Sequence, residues 1–236
     1  MKTILHALFA AAAVPVNPPP PITPPSSQAL RFVSPHNGAP NNVISAGTTG
    51  AGDRRRMLTR MKIVIGGGDV SQLVIAFMSW MLNNGSKPTS GFTIEAAYLE
   101  RESVAETRQI LFNGRATKIV AANSTDVLCD PILPSSFSGA PATFPVGSVW
   151  YARVQILLAN VTDTVPTSDF NASTWMCNPA TTVLAPASAT GNLQIVSGAD
   201  ASPAANLCML ALGRYVSGNP VVTLVVGDSK IGRAHV

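Results

Sequence analysis

The chain has 236 residues, 46% of them apolar, which is ample for a buried core and for one or two domains. Only 12% are charged, against roughly 25% in an ordinary soluble domain, and the wealth of Ala, Val, Ser, Thr, Gly and Pro favours short strands and turns over long charged helices. The net charge of +4 does not signify a nucleic-acid surface, because Met61 to Ser229 holds 8 basic and 11 acidic residues and the basic excess lies in the flanks.

Lys2 followed by the apolar run Ile4 to Val14, with small residues at Ala11 to Ala13, has the form of a signal peptide and is too short to span a bilayer. Export to the cell surface or medium is the expectation. If translation starts at Met57 or Met61, a cytoplasmic or phage-associated location is expected instead. Pro15 to Pro25 holds seven prolines in eleven positions and should form an extended spacer. Residues 1–25 are thus leader and spacer. Residues 26–60, poor in periodicity, are expected to be a disordered linker, with Arg54 to Arg56 as solvated charge.

From Met61 the character changes. A strand-like Lys62 to Ile65 leads into Gly66-Gly67-Gly68, a weak match to a dinucleotide-binding turn, since Ser71 stands where the last glycine of that fingerprint belongs. The cofactor reading requires a helix from about Asp69 to Leu82. The preferred reading is a glycine bend between strands, with no cofactor. Further strands are expected at Gln72 to Leu82, Phe92 to Leu99, Thr107 to Phe112, Thr117 to Ala121, Thr125 to Cys129, Ser148 to Leu158, Thr181 to Leu184, Asn192 to Val196 and Leu207 to Leu212. Asn83-Asn84-Gly85, Asn113-Gly114 and Gly191-Asn192 supply turns. Trp150, Ala152, Val154 and Ile156 alternate with Tyr151, Arg153 and Gln155, which predicts one buried and one wet face. Pro131, Pro134, Pro141 and Pro145 confine their segment to a long loop. The sum is an all-β domain over 61–218, an antiparallel sandwich of jelly-roll type.

Cys129, Cys177 and Cys208 match neither a zinc spacing nor an even disulfide framework, so no metal is expected; three buried, inert thiols are preferred, with one disulfide plus a free thiol as the alternative if the chain is exported. Trp80, Trp150, Tyr151 and Trp175 suit core packing better than a sugar-binding platform. Sequons at Asn123, Asn160 and Asn171 carry no weight in a chain so rich in Ser and Thr.

Val221 to Val226, after a Gly-Asn-Pro turn, has the pattern of a strand buried on both faces, and it ends in Gly227-Asp228-Ser229. This block resembles the first motif of the SGNH, or GDSL-like, hydrolase family of esterases and lipases. The resemblance implies that 219–229 is the first strand of a three-layer α/β/α domain. Ser229 would be its nucleophile, with its backbone N–H in the oxyanion hole, and Gly227 and Asp228 would shape the nucleophile turn. A serine hydroxyl needs a histidine to take its proton and donors to hold the oxyanion. The only histidines here are His6, His36 and His235, in the leader, linker and tail. The family's Gly and Asn oxyanion blocks and its Asp-x-x-His pair would lie beyond Ser229. Residues 61–218 likewise resemble, in layout and in the Gly213 to Gly218 lead-in, the β-rich accessory domain of some bacterial and phage-associated members.

Ile231 to Val236 back-translates as ATC GGA AGA GCA CAC GTC, which resembles a common short-read sequencing adapter, and residues 230–236 are therefore expected to be foreign to the gene. The expectation is a truncated, catalytically incomplete esterase whose β-domain binds or positions a polysaccharide or cell-envelope polymer. Its principal partner is a missing C-terminal hydrolase domain, and neither nucleic acid nor a membrane span is expected. The alternative is a non-enzymatic β-sandwich: a surface, sugar-binding or phage structural protein.

Overall fold

Four apolar side chains at every second position, Trp150, Ala152, Val154 and Ile156, point into a common interior, and all four are buried in the computed structural model. The structure describes residues 29–34, 42–45, 48–49, 52–79, 90–124, 127–168, 173–177, 187–192, 200–201 and 206–216. Their strands are β1 (Arg31–Phe32), β2 (Asn42–Ser45), β3 (Thr48–Thr49), β4 (Gly52–Asp53), β5 (Arg56–Val64), β6 (Val70–Phe77), β7 (Phe92–Arg101) and β8 (Glu106–Gln109). Then follow β9 (Lys118–Val120), β10 (Val127–Leu128), β11 (Val149–Leu158), β12 (Thr164–Ser168), β13 (Ser173–Cys177), β14 (Asp200–Ala201), β15 (Asn206–Leu207) and β16 (Met209–Tyr215). The described residues contain no α-helix, only 3-10 turns at Glu102–Val104 and Pro134–Ser136.

A seven-stranded sheet runs β14-β13-β5-β11-β7-β8, with β9 also on β7, and a four-stranded sheet runs β1-β16-β6-β10. All their pairings are antiparallel. One apolar cluster joins the two sheets, with Ile63, Ile94, Leu99 and Val154 from the larger and Leu73, Ile75, Phe77 and Ala211 from the smaller. Trp150 is part of it, set edge-on to Phe137 and Phe144, both centroids 4.9 Å away. The sequence therefore specifies an all-β, antiparallel body.

The proline-rich segment is a loop, as expected. It follows the edge of β6 through two isolated bridges, Leu73 to Ile132 and Val70 to Phe144. Its prolines lack the N–H that a continuous ladder requires, so it covers the edge without extending the sheet. The glycines at 66–68 bend between β5 and β6, and residues 70–77 form a strand where the cofactor reading needs a helix. That reading is overturned by the β-branched content of Val70, Val74 and Ile75 and by their place in the core.

The boundary at 61 is corrected. β5 begins at Arg56, and β1 lies within the expected linker, paired with β16. Arg54 to Arg56 conceals the strand because its charge reads as solvated, whereas Met57 and Leu58 are buried and Arg56 is ion-paired. The strand expected over Thr181 to Leu184 falls outside the described residues, as does that over Asn192 to Val196 apart from Asn192 itself. β12 and β13 are strands that the sequence pattern does not announce.

Gly213 of β16 lies between its partners Leu73 on β6 and Arg31 on β1. A Cβ there would stand 2.5 Å from Val70 Cγ1 and 2.6 Å from Val33 Cγ1, both on stiff side chains. Gly213→Ala is expected to lower stability by about 1–3 kcal/mol through overpacking, measured as a fall in the urea midpoint. An unchanged midpoint would show that β1 and β6 yield freely.

Candidate functional site

Gly227, Asp228 and Ser229 lie outside the described residues, as do Val221 to Val226 and all three histidines, so the structure assigns no geometry to a serine-centred site. Trp80 also lies outside them. The only side chains with nucleophilic sulfur are inert. Cys129, Cys177 and Cys208 are buried, and burial pushes their thiols up to about 12, about 11 and about 12. No group of His, Cys, Asp and Glu among the described residues is arranged to hold a metal.

The concentrated polar chemistry lies on the outer face of the large sheet, across its three central strands. Arg60 of β5 donates from Nε and Nη2 to the two oxygens of Glu100 on β7, both at 2.9 Å. Arg153 of β11, between them, donates from Nη1 to Glu100 Oε2 at 3.3 Å. The register makes this possible: Arg153 faces Arg60, and Tyr151, two residues earlier, faces Glu100. Arg60 also lies over the Tyr151 ring, 3.3 Å from its centre. The Tyr151 hydroxyl donates to Glu102 at 2.7 Å.

The alternation of β11 predicts a wet Arg153, and that expectation is corrected: the residue is fully buried. Residues 187–192 pass over it as a strap. Its Nε donates to Ala187 O at 3.1 Å, its Nη1 to Gly191 O at 2.6 Å, and the Gly191 N–H donates to Glu100 Oε1 at 2.8 Å. Thr107 Oγ1 holds the strap a second time, through Ser188 O at 2.9 Å. Beneath lies a small apolar patch of Leu58, Cys177 and Ala187, with Ala96 and Tyr98 beside it.

A second ionic group sits further along the same face. Arg56 binds Glu95 bidentately at 2.8 and 3.0 Å, and Gln155 Nε2 donates to Glu95 at 2.8 Å. Glu95 reaches this face through a β-bulge. The pairing steps from Gln155–Ala96 to Ile156–Ile94, which leaves Glu95 as the extra residue. The run Phe92, Ile94, then Ala97 and Leu99 carries the same slip in its apolar period, and that slip is the signal from which the bulge was legible.

Burial by itself raises the Glu100 carboxyl. The hydrogen bonds from Arg60 and Gly191 and the two guanidinium charges outweigh it and hold the group below its ordinary range. Glu95 is held down in the same way by Arg56 and Gln155. Burial, and then the hydrogen bond to Glu102, raises Tyr151. These groups are tied to one another by hydrogen bonds and ion pairs, an arrangement that fixes the three strands across their outer face.

No protein-family model matches the chain, and no curated protein matches it.

Glu100→Gln is expected to cost about 3 kcal/mol, because it leaves the buried Arg153 charge uncompensated, read as the shift of the urea midpoint at pH 7. The folded Glu100 carboxyl titrates below its unfolded value, about 4.3. Its contribution is therefore present above that value and is lost as pH falls through the folded one. The gap between wild type and Glu100→Gln should close in acid; a gap that stays constant down to about pH 2.5 would show that ionisation of Glu100 contributes nothing. Native protein at about pH 8 should leave all three thiols unmodified by a disulfide reagent, with all three reacting in urea. Rapid native labelling of any one would contradict its burial.

Proposed function

We propose that the described β-body is the accessory domain of an SGNH-type serine esterase, binding or positioning an envelope polymer for a catalytic domain in which Ser229 is the nucleophile. Gly227 and Asp228 would shape the turn that presents Ser229. The finer architecture that belongs to this reading is a sandwich of jelly-roll type. An exported location, suggested by the leader-like Ile4 to Val14, accompanies it.

The observation that carries the reading is the anchoring of β16. This strand is held between β1 and β6, and at its end the Tyr215 hydroxyl lies 3.0 Å from Phe32 O and 2.7 Å from Gly66 O. One proton is shared between two carbonyls, which fixes the end of β16 at Tyr215. Ser229 follows Tyr215 by fourteen positions. A domain begun so soon after an anchored strand would be held at short range from the β-body.

Ser229 needs a general base, and no histidine of this chain is placed in sequence to be one: His6 and His36 belong to the leader and linker, and His235 to the adapter-like tail. The 236 residues alone are therefore expected to be inactive toward p-nitrophenyl acetate. Turnover that disappears in Ser229→Ala would contradict this. In source DNA the reading frame should continue past codon 229 to an Asp-x-x-His pair. A frame that continues without that pair, or ends at Val236, removes the esterase reading and leaves a non-enzymatic binding or structural β-protein in its place.

A further inference from the structure

We propose that the rim of the large sheet around β9 is a binding groove for an acidic glycan chain, gripped at Arg115 and Lys118. The proposal rests on the binding role given above to the β-body, and it is independent of Ser229.

Two open clefts, of about 480 and 420 Å³, meet at this rim and share Thr93 and Ile119. Those two residues are direct partners in the β7–β9 pairing. The clefts are thus neighbouring lobes over one edge strand, a shape suited to an extended chain more than to a compact small molecule. Ile119 is 73% exposed at their junction, the most exposed large apolar side chain among the described residues. An exposed aliphatic flanked by threonine hydroxyls matches a sugar ring, which presents C–H faces and a rim of hydroxyls.

The charge sets the class of sugar. Arg56, Arg60, Arg108 and Arg153 are each paired with a glutamate. Arg115 and Lys118, both lining the first lobe, have no ion pair or side-chain hydrogen bond among the described residues. Asp130 is turned to the backbone, its two oxygens accepting from Asn113 N and Gly114 N, each at 2.7 Å, and its single charge leaves the two cations in excess. In the second lobe Arg55 and Asp163 balance each other formally. The first lobe therefore attracts an anionic sugar unit, and the second accepts a neutral one.

The cationic lobe is built on a rigid support. Asn113 and Gly114 have φ of 52° and 74°, and Phe112 and Arg115 pair across them. This is a tight hairpin turn with positive φ at both central positions. The Asp130 clamp fixes that turn, so Arg115 is presented from a backbone that need not be ordered on binding. Single-stranded nucleic acid, the other extended polyanion, is disfavoured: Phe112 in the first lobe is only 2% exposed and offers no face for base stacking.

The test titrates the full 236-residue chain with three probes: a carboxylate-bearing oligogalacturonate, a phosphodiester-linked oligosaccharide and a neutral xylo-oligosaccharide. At least one anionic probe should bind and the neutral one should not; the better anion identifies whether carboxylate or phosphodiester is the natural group. Arg115→Ala and Lys118→Ala should each weaken binding about fivefold, and the double variant more, as expected for exposed charge-assisted contacts. Lys62→Ala, an exposed cation on β5 away from the rim, should bind as wild type. The proposal is overturned if neither anion binds, if the neutral probe binds equally, if the rim variants match wild type, or if a single-stranded oligonucleotide binds more tightly than both glycans. A missing Asp-x-x-His pair in the gene would end the esterase reading and leave this result untouched, and failure of the groove would leave the esterase reading standing.

Discussion

The Glu100 carboxylate, shared between Arg60 and Arg153, is the interaction on which the large sheet depends. Each of its three central strands contributes one member, so the ion cluster ties β5, β11 and β7 together across their outer face. A guanidinium as buried as Arg153 costs several kcal/mol of lost hydration, offset at Nε and Nη1 but not at Nη2, which has no hydrogen-bond partner among the described residues. Glu100 meets the charge, and the Ala187 and Gly191 carbonyls meet two donors. The strap over 187–192 is therefore held by the electrostatic need of the residue beneath it as much as by its own packing.

This arrangement gives the sheet two different interiors. On one side, alternating apolar residues of β5, β7 and β11 pack against β6 and β16 as an ordinary hydrophobic core. On the other, a thin ionic layer is sealed by a few backbone carbonyls. The bulge at Glu95 serves the second layer without disturbing the first: it adds one outward residue between two inward ones and supplies the carboxylate that Arg56 and Gln155 share.

At the periphery, the same economy of edges recurs. The proline-rich segment guards β6, and Tyr215 pins the end of β16 against β1 and Gly66. β9 is different: a short edge strand that carries Lys118 and an exposed isoleucine, preceded by Arg115 on a turn held rigid by Asp130. Natural sheets blunt such edges with charge. Here the charge faces clefts, which gives an edge device the chemistry of a contact surface for an acidic polymer.

The sequence by itself determined the all-β class, the antiparallel alternation of β11, the loop character of the proline-rich segment, the glycine bend at 66–68 and the burial of the three thiols. These follow from local chemistry: period-two patterning, missing amide donors, conformational freedom, and the absence of paired cysteine spacing. Tertiary structure alone decided the rest. Arg54 to Arg56 read as solvated because Asp53 is the one acid beside three arginines in sequence, and Glu95, which pairs Arg56, is thirty-nine residues away. Arg153 read as wet because the strap that buries it arrives from thirty-four residues downstream. The groove was invisible for the same reason, since Thr93 and Ile119 meet only through strand pairing. Charge and burial are properties of who sits opposite whom, and in an antiparallel sheet that partner is remote in the chain.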